Sequence, residues 1–172
     1  MFDVLKRYLV WLRRIRHSRG FGVQSPTDYW FVCNVINETW PYYCYDSLGE
    51  HDDCLTRKLG LLYFRLVNWR QPRVVCTVGY YDYIRSACQR VIFGNSNELV
   101  ILSSDQTISN LECFYSGLDD QSVLVIDRID KNPLLWQNVV NDSRSRVTFD
   151  LYYCGIVFFD KKRFKHNYII NF

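Results

Sequence analysis

The chain has 172 residues, of which 48% are hydrophobic and 17% aromatic, so it can bury a core of its own and lacks the composition of a disordered protein. Its net charge is +3, and residues 1–20 carry six cations against the single acid Asp3. The rest of the chain is therefore net negative, and only the N-terminal segment would attract nucleic acid.

The first predicted element is a helix over residues 2–16, where apolar residues recur at helical spacing and cationic residues fill the opposite side. Such a helix either packs its apolar face on the protein and leaves a basic face in solvent, or lies on a membrane surface. No apolar run could span a bilayer, and Arg13, Arg14 and Arg16 interrupt any signal-peptide core. We therefore expect a cytoplasmic protein that would meet a membrane surface only through residues 1–20.

Two more helices are predicted before the first strand. Ser25 is a good N-cap, Pro26 suits the first helical position, and Asp28 would complete a capping box. This second helix is expected to run to about Thr39. After an aromatic loop, leucines at helical spacing predict a third helix over residues 51–69.

From residue 73 onward, short apolar runs alternate with helical stretches. The predicted elements are strand 73–78, helix 82–93, strand 98–103, helix 107–116, strand 122–127 and helix 133–142. The three strands are apolar throughout, which is typical of parallel strands covered on both faces. Closing runs with short links predict an antiparallel finish. The fold class is therefore α/β, an open Rossmann-like sheet that is mostly parallel, with antiparallel C-terminal strands and an N-terminal helical cap.

The domain organisation predicted from these elements is a single domain over residues 1–172. Residues 1–70 would form the helical cap and the helix that leads into the sheet. Residues 73–172 would form the core. No stretch of the sequence is typical of an interdomain linker.

The seven cysteines include no C-x-x-C pair. Four of them lie in apolar periodic segments, so we expect reduced thiols packed as small core hydrophobes, which is typical of a reducing cytoplasm; these are Cys33, Cys76, Cys88 and Cys113. The three histidines are far apart in sequence, so the sequence predicts no metal site.

Ligands of open α/β sheets bind beyond the carboxyl ends of the strands, so the loops after three predicted strands are candidate sites. Gly79, after the first strand, either lets the backbone approach a ligand or is an ordinary turn residue. Ser104 or Asp105, after the second, either caps the next helix or lines the crevice with a polar side chain.

Asp127, at the end of the third strand, is the most suggestive residue of the sequence. A carboxylate at this position can bind a metal or orient a substrate group. Arg128 beside it can instead pair with Asp127 or with Asp130, which would be a structural use. The residues alone leave both interpretations open.

Four segments carry a resemblance to a known family: RGFGVQSPTDYWFVCNVI, LLYFRLVNWRQPRVV, QSVLVIDRID and VTFDLYYCGIVFFDKKRFKHNYIINF. They resemble, in turn, a capping segment around G-[FH]-G-x-H-S-P, a helix leading into the first core strand, a strand that ends in an acidic pair, and the closing strands. The family is one of class I S-adenosylmethionine-dependent methyltransferases found in Bacteroidetes. The resemblance implies a helical cap before a Rossmann-like core.

The chain departs from this family at the cofactor loop. The family pattern is Glu-x-Gly-x-x-x-Gly; here Thr77 stands at the acidic position, Gly79 keeps the first glycine, and Tyr83 stands at the second. A tyrosine there would enter the space of the methionine portion of the cofactor or force the turn into another shape. Packing of Tyr80, Tyr81 and Tyr83 into the former cofactor crevice would favour a chain without cofactor.

Other family positions differ as well. Gln24 replaces the histidine of the capping motif, residues 103–106 replace Asp-Gly-Asn-His, and Arg128 and Asp130 replace an acid and a histidine. Only residues 94–97 separate the predicted helix 82–93 from the next strand, where the family has two strand–helix units. Their loss would remove the acid that holds the ribose hydroxyls. The surviving strands could still pair directly, in a sheet with fewer strands.

These departures predict a degenerate, internally shortened relative that is not catalytic, needs no cofactor, and has a binding or assembly role with an unidentified partner, such as another protein. In the alternative, the chain is an active small-molecule methyltransferase with an atypical site. Gly79 and Asp105 would then bind S-adenosylmethionine, and Asp127 would be the catalytic candidate. A third reading is a peripheral membrane or nucleic-acid binder that uses the basic N-terminal helix, with nucleic acid disfavoured by the charge of the remaining chain.

Overall fold

A computed structural model describes residues 2–95 and 97–172, and it describes no side chains at 2–4 and 108–110, so Phe2 of the predicted apolar face lies outside the described side chains. The helices are α1 (Phe2–Arg13), α2 (Pro26–Phe31), α3 (Cys54–Arg70), α4 (Tyr81–Ala87), α5 (Ile108–Tyr115) and α6 (Pro133–Asn141). Short 3₁₀ segments span Ile15–Gly20 and Tyr43–Tyr45, and a π-helical turn, Val32–Ile36, follows α2. The strands are β1 (Val74–Thr77), β2 (Ile92–Phe93), β3 (Leu99–Ser103), β4 (Val123–Asp127), β5 (Val147–Asp150), β6 (Cys154–Phe158) and β7 (His166–Ile169).

These strands form one open sheet in the order β2-β1-β3-β4-β6-β5-β7. Strands β2, β1, β3 and β4 are parallel, whereas β6 is antiparallel to both β4 and β5. Strand β7 pairs in parallel with β5 at the far edge. The α/β class, the mostly parallel sheet and the antiparallel C-terminal pairing are thus confirmed. Strand β1 pairs directly with β3, and the outer strand on that side, β2, has only two residues.

The sheet is buried on both faces, as its continuous apolar strands predicted. Alternate residues of β3 point to opposite sides, and the two sides belong to separate apolar clusters. One face packs on α3, through Leu59, Leu62 and Leu66 among others. The other face packs on α5 and α6, where Leu111 and Trp136 are buried. Because β1, β3 and β4 are parallel neighbours, their carboxyl ends meet at a single edge of the sheet.

Four predicted helix boundaries differ from the structure by three residues or more. The first helix ends at Arg13 rather than at residue 16, and a 3₁₀ segment begins at Ile15. The second helix ends at Ile36 rather than near Thr39, and the third begins at Cys54, where the Asp53 carboxylate accepts from the amides of Leu55 and Thr56. The fourth ends at Ala87 rather than at residue 93. Its expected last turn forms β2 instead, because the amides of residues 92 and 94 donate to carbonyls of residues 73 and 75 beside β1.

Two buried charges fix the helical cap to the rest of the protein. The Ser25 hydroxyl caps α2 as predicted, but Asp28 completes no capping box, since its carboxylate pairs with Arg163 and accepts from Tyr168. Arg65 on α3 is 7% exposed and donates to the carbonyls of residues 35 and 36, at 2.7 and 2.9 Å. These carbonyls end the π-helical turn, so a buried guanidinium supplies the C-terminal cap of that helical segment.

Helix α1 contacts the body mainly through polar groups. The Arg14 guanidinium donates to the Asp150 carboxylate at 2.8 Å and lies over the ring of Tyr152. Asp150 also accepts from the indole N–H of Trp136, at 3.2 Å, and from the amide of Tyr152. A single carboxylate at the end of β5 thus connects α1, α6 and the turn before β6.

The cysteines are distributed differently from the prediction. All seven are free thiols, but Cys113 is exposed and Cys33, Cys76 and Cys88 are only half-buried. Cys113 lies on the solvent side of α5, so the prediction that it packs in the core is wrong. The buried cysteine is Cys154, which begins β6 in the centre of the sheet. None of the helices among the described residues has both the length and the apolar content needed to cross a membrane.

Candidate functional site

The loops singled out from the sequence begin at the same edge of the sheet. Ser103 is the register partner of Asp127, and Thr77, which ends β1, is the partner of Ile101. The amide of Ser104 donates to the backbone carbonyl of Asp127 at 3.0 Å, which holds the second and third loops together. The carboxyl ends of β1, β3 and β4 are therefore the candidate functional site.

Asp127 is the centre of this site, as the sequence suggested. Its Oδ1 accepts from the hydroxyl of Tyr63 at 2.5 Å, and its Oδ2 accepts from the hydroxyl of Tyr80 at 3.2 Å. Tyr63 comes from α3 and is fully buried, whereas Tyr80 comes from the loop after β1. Both oxygens of the carboxylate therefore have tyrosine donors from two separate segments, and we call these three residues the tyrosine–carboxylate cluster.

The loop after β1 is shaped to bring Tyr80 to Asp127. Tyr80 has φ 61° and ψ 26°, a left-handed conformation that costs a non-glycine residue roughly 1 kcal/mol. Thr77 supports this turn, because its hydroxyl donates to the Gly79 carbonyl at 2.8 Å. The ring of Tyr80 meets that of Tyr63 edge to face, with centroids 4.8 Å apart. The hydrogen bonds and the ring contact offset the backbone strain.

Burial controls the ionisation of the cluster. It raises the pKa of Asp127, although the two tyrosine hydrogen bonds and the nearby Arg128 oppose this shift. Burial, and to a lesser extent the carboxylate, raise the pKa values of Tyr63 and Tyr80 well above the usual value. Burial also raises the pKa of the Cys154 thiol well above normal. The tyrosines and the thiol therefore stay protonated at neutral pH, so the cluster contains hydrogen-bond donors and no activated nucleophile.

Arg128 and Asp130, which follow Asp127 in the same loop, form a separate pair. Arg128 adopts a left-handed φ of 58°, and its Nε donates to Asp130 at 3.2 Å. Of the two pairings that the sequence left open for Arg128, the geometry gives the one with Asp130.

The other two candidate residues do not join the cluster. Gly79 has an ordinary φ, and a β-carbon there would meet no atom within 4 Å, so the unusual conformation of the turn belongs to Tyr80 and not to the glycine. Asp105 is exposed, and its carboxylate accepts from the hydroxyl of Ser103 at 2.9 Å within the same loop. The buried residue of that loop is Ser104, whose carbonyl accepts from Asn132.

Tyr83, which stands at the second glycine of the family pattern, faces away from Asp127. Its ring is 4% exposed and lies against Gly60 of α3, where a β-carbon would collide with it. Its hydroxyl donates to Asp52 at 2.6 Å. Tyr81 is 47% exposed and packs on Phe93. Of the three tyrosines expected in the crevice, only Tyr80 extends over the strand ends to Asp127.

Sequence reasoning missed Tyr63 and Cys154 as members of this site. Tyr63 follows Leu59 and Leu62 on the face of α3 that meets the sheet, so its hydroxyl is a lone polar atom on an apolar helical face. A buried hydroxyl needs a partner. The need for a hydrogen-bond partner could therefore have marked Tyr63 as a site residue, but the sequence does not show which acceptor lies opposite its hydroxyl.

Among residues 2–95 and 97–172, no group of three or more His, Cys, Asp or Glu side chains is placed to hold a metal ion. Two cavities of about 490 and 420 Å³ lie beside α1 and α3, and their walls include none of Gly79, Asp105 and Asp127. No family model, curated protein or solved structure matches the chain.

Proposed function

We propose that the chain is a degenerate relative of S-adenosylmethionine-dependent methyltransferases that keeps a Rossmann-like sheet, acts in the cytoplasm, and binds or assembles with a partner without catalysis. The observation that carries this proposal is the position of Tyr80. Its hydroxyl binds Asp127 across the carboxyl ends of the strands, which is where ligands of open α/β sheets approach.

Three further features support this proposal. Within the part of the chain that the structure describes, the sheet extends beyond β1 only through β2, which has two residues, so that side offers little surface for the adenosine portion of a cofactor. Asp127 has both oxygens engaged by tyrosines. The tyrosine hydroxyls next to it are protonated hydrogen-bond donors at neutral pH, and burial raises their pKa values further above the ordinary tyrosine value.

The experiment is calorimetric titration of the purified protein with S-adenosylmethionine and with its demethylated product. We expect no binding tighter than about 1 mM, because binding would require Tyr80 to leave Asp127 and the left-handed turn to rebuild. A cooperative thermal transition of the same sample shows that the protein is folded. Micromolar binding of either compound would contradict the proposal and support an active methyltransferase with an atypical site.

A second function, attachment to a membrane surface, is favoured by the orientation of α1. The side of this helix that faces the body presents Arg7 and Val10, and Arg14, which directly follows the helix, lies on the same side; all three are half-buried. The apolar side faces outward, where Leu5, Leu9 and Leu12 are 60, 50 and 53% exposed. The expectation of an ordinary helix with a solvated basic face does not describe this arrangement.

The charges beside this apolar side match an anionic lipid surface. At about 100° per residue, Lys6 and Arg13 lie immediately next to Leu9 around the helix. Tyr8 and Trp11, both exposed, border the other side and have the amphipathic rings that are enriched at membrane interfaces. We therefore propose that α1 rests on an anionic membrane with Leu5, Leu9 and Leu12 inserted among the lipids.

Sedimentation with vesicles tests this second function. We expect binding to phosphatidylcholine vesicles that contain about one-third phosphatidylserine, weaker binding to pure phosphatidylcholine, and a decline as salt screens the cations. Leu9→Asp should weaken binding at least about tenfold, since it places an acid in the inserted face. Phe164→Asp is the control, because Phe164 is 85% exposed on the link between β6 and β7.

Two results would contradict membrane attachment. One is equal vesicle binding by the protein and by Leu9→Asp. The other is the absence of vesicle binding together with a dimer in solution that Leu9→Asp dissociates, which would mean that a second copy of the chain covers this face.

A further inference from the structure

The inner side of α1 borders a cavity that the proposals above do not use. The cavity, of about 490 Å³, lies between α1, the first turns of α3 and the last residue of the chain. Trp11, Leu55 and Phe172 supply apolar wall. This volume is within the range of about 300–1,000 Å³ that is usual for small-molecule sites.

The charged side chains that line the cavity are both cations. The ring of Tyr153 is 7% exposed and its hydroxyl has no hydrogen-bond partner, although buried hydroxyls almost always have one. Arg7 and Lys58 also line the cavity, and neither forms an ion pair with a described carboxylate. The cavity is therefore lined by two cations that form no described ion pair and by a tyrosine whose hydroxyl has no described partner.

The surroundings of Lys58 would favour a bound anion. Its ammonium lies 4.3 Å from the ring centroid of Phe172 and forms no ion pair with a described side-chain carboxylate. Burial lowers the pKa of Lys58, and the cations of Arg7 and Arg65 lower it further. A bound anion would relieve both the desolvation and the repulsion between like charges.

A second cavity, of about 420 Å³, adjoins the first and shares Trp11, Lys58 and Phe172 with it. Its wall includes Asn37, whose side-chain NH₂ group is buried without an acceptor. The second cavity also borders Glu38, whose carboxylate accepts from the Tyr42 hydroxyl, whereas none of the side chains that line the first cavity is acidic. The shared apolar wall leaves room for a ligand body longer than its polar head.

We propose that this pair of cavities binds a small amphipathic carboxylate, whose anionic head contacts Lys58, Arg7 and the Tyr153 hydroxyl and whose apolar body lies along Trp11, Leu55 and Phe172. The site is separate from the tyrosine–carboxylate cluster, so this inference stands whether or not the chain binds S-adenosylmethionine. An inorganic anion would use the head contacts alone and leave the apolar wall empty.

The experiment is calorimetric titration with three probes: octanoate, octanol and inorganic phosphate. Octanoate should bind, and octanol, which has the same chain and no charge, should bind at least about tenfold more weakly because it loses the charge-assisted contacts. Inorganic phosphate should bind too weakly to compete with octanoate. Equal affinities of octanoate and octanol, or displacement of octanoate by phosphate at the same concentration, would overturn the proposal.

Matched variants locate the site. Lys58→Met should weaken octanoate binding about tenfold, whereas Lys162→Met, at an exposed lysine, should leave it unchanged. Tyr153→Phe should weaken it about threefold or more while preserving the fold, because it removes only a hydroxyl that has no partner in the protein. Tyr115→Phe is its control, since Tyr115 is also buried with an unpartnered hydroxyl and lies outside both cavities. Unchanged octanoate affinity in both Lys58→Met and Tyr153→Phe would overturn the proposal.

Discussion

Replacing Tyr83 with glycine, which restores the residue of the methyltransferase pattern, is expected to lower the free energy of unfolding by about 4 kcal/mol. Loss of a buried aromatic ring leaves a cavity, and glycine weakens a helix. Tyr83 lies in the first turn of α4, with its ring against Gly60 and its hydroxyl on Asp52. The variant should gain no affinity for S-adenosylmethionine, because this ring is not the one that reaches Asp127. Urea unfolding and calorimetric titration measure the two quantities.

Tyr81→Gly is the matched control, since it makes the same backbone change in the same turn. The Tyr81 ring is 47% exposed, so this variant should lose only about 1 to 2 kcal/mol. If both variants lost the same stability, the packing role of Tyr83 would be refuted. If Tyr83→Gly bound the cofactor at micromolar concentration, the proposal of a lost cofactor site would fail with it.

Gly60 provides a second check on the same contact. Glycine-to-alanine changes inside a helix usually stabilise it by about 1 kcal/mol, but a β-carbon at Gly60 would collide with the Tyr83 ring. Gly60→Ala should therefore destabilise the protein by about 2 kcal/mol. In the Tyr83→Gly background, Gly60→Ala should instead stabilise the protein. The difference between its effects on the free energy of unfolding in the two backgrounds measures the interaction between residue 60 and the Tyr83 ring. Equal effects in both backgrounds would mean that the two residues do not touch.

Asp127→Ala is expected to lower the free energy of unfolding by about 3 kcal/mol, because two tyrosine hydroxyls lose their acceptor together. Tyr63 is fully buried, and the neighbouring Cys154 sulfur is only a weak acceptor. Asp127→Asn keeps an acceptor oxygen of the same shape, so its unfolding free energy at neutral pH should stay within about 1 kcal/mol of the original. Urea unfolding of both variants tests this, and equal losses would contradict a hydrogen-bonding role for the carboxylate.

The pH dependence of Asp127→Asn follows from the raised pKa of Asp127. The folded protein holds this proton more tightly than the unfolded chain, whose aspartate pKa is about 3.9. The stabilisation from Asp127 is therefore greatest below the unfolded pKa and is lost as the pH rises through the folded pKa. The asparagine variant lacks this loss, so its stability relative to the original should improve between acidic and neutral pH. A relative stability that falls over this range would mean that the pKa is lowered instead.

The central strands could be predicted from the sequence almost to the residue. The runs predicted at 98–103 and 122–127 are β3 and β4. A short, uninterrupted apolar run between two helices is typical of a parallel strand that is buried on both faces. The helix predicted to reach residue 93 failed for a different reason. The amide of Ile92 donates to the carbonyl of Arg73, next to β1. A hydrogen bond between backbone groups that are distant in sequence does not change the local pattern of apolar residues, so periodicity cannot predict it.

The candidate site was predictable only in part. Asp127 ends a buried strand, and topology alone places that end at the binding edge. Its hydrogen-bond partners could not be predicted from the sequence, because Tyr63 and Tyr80 are 64 and 47 residues away along the chain. The sequence also could not predict which side of α1 faces the body of the protein, because that too depends on residues distant along the chain. Periodicity shows that one side is apolar, but Arg14 turns inward because Asp150 and Tyr152 lie beneath it.

The attachment of α1 through Asp150 also sets the order in which parts of the protein open. Helix α1 buries little apolar surface, and its ion pair is partly accessible to water, so its separation from the body exposes far less apolar area than unfolding of the sheet. Amide protons of α1 should therefore exchange with solvent through a local opening, while those of β3 and β4 exchange only through global unfolding. We therefore expect the N-terminal helix to open as a cooperative unit of its own, at a lower free-energy cost than the sheet.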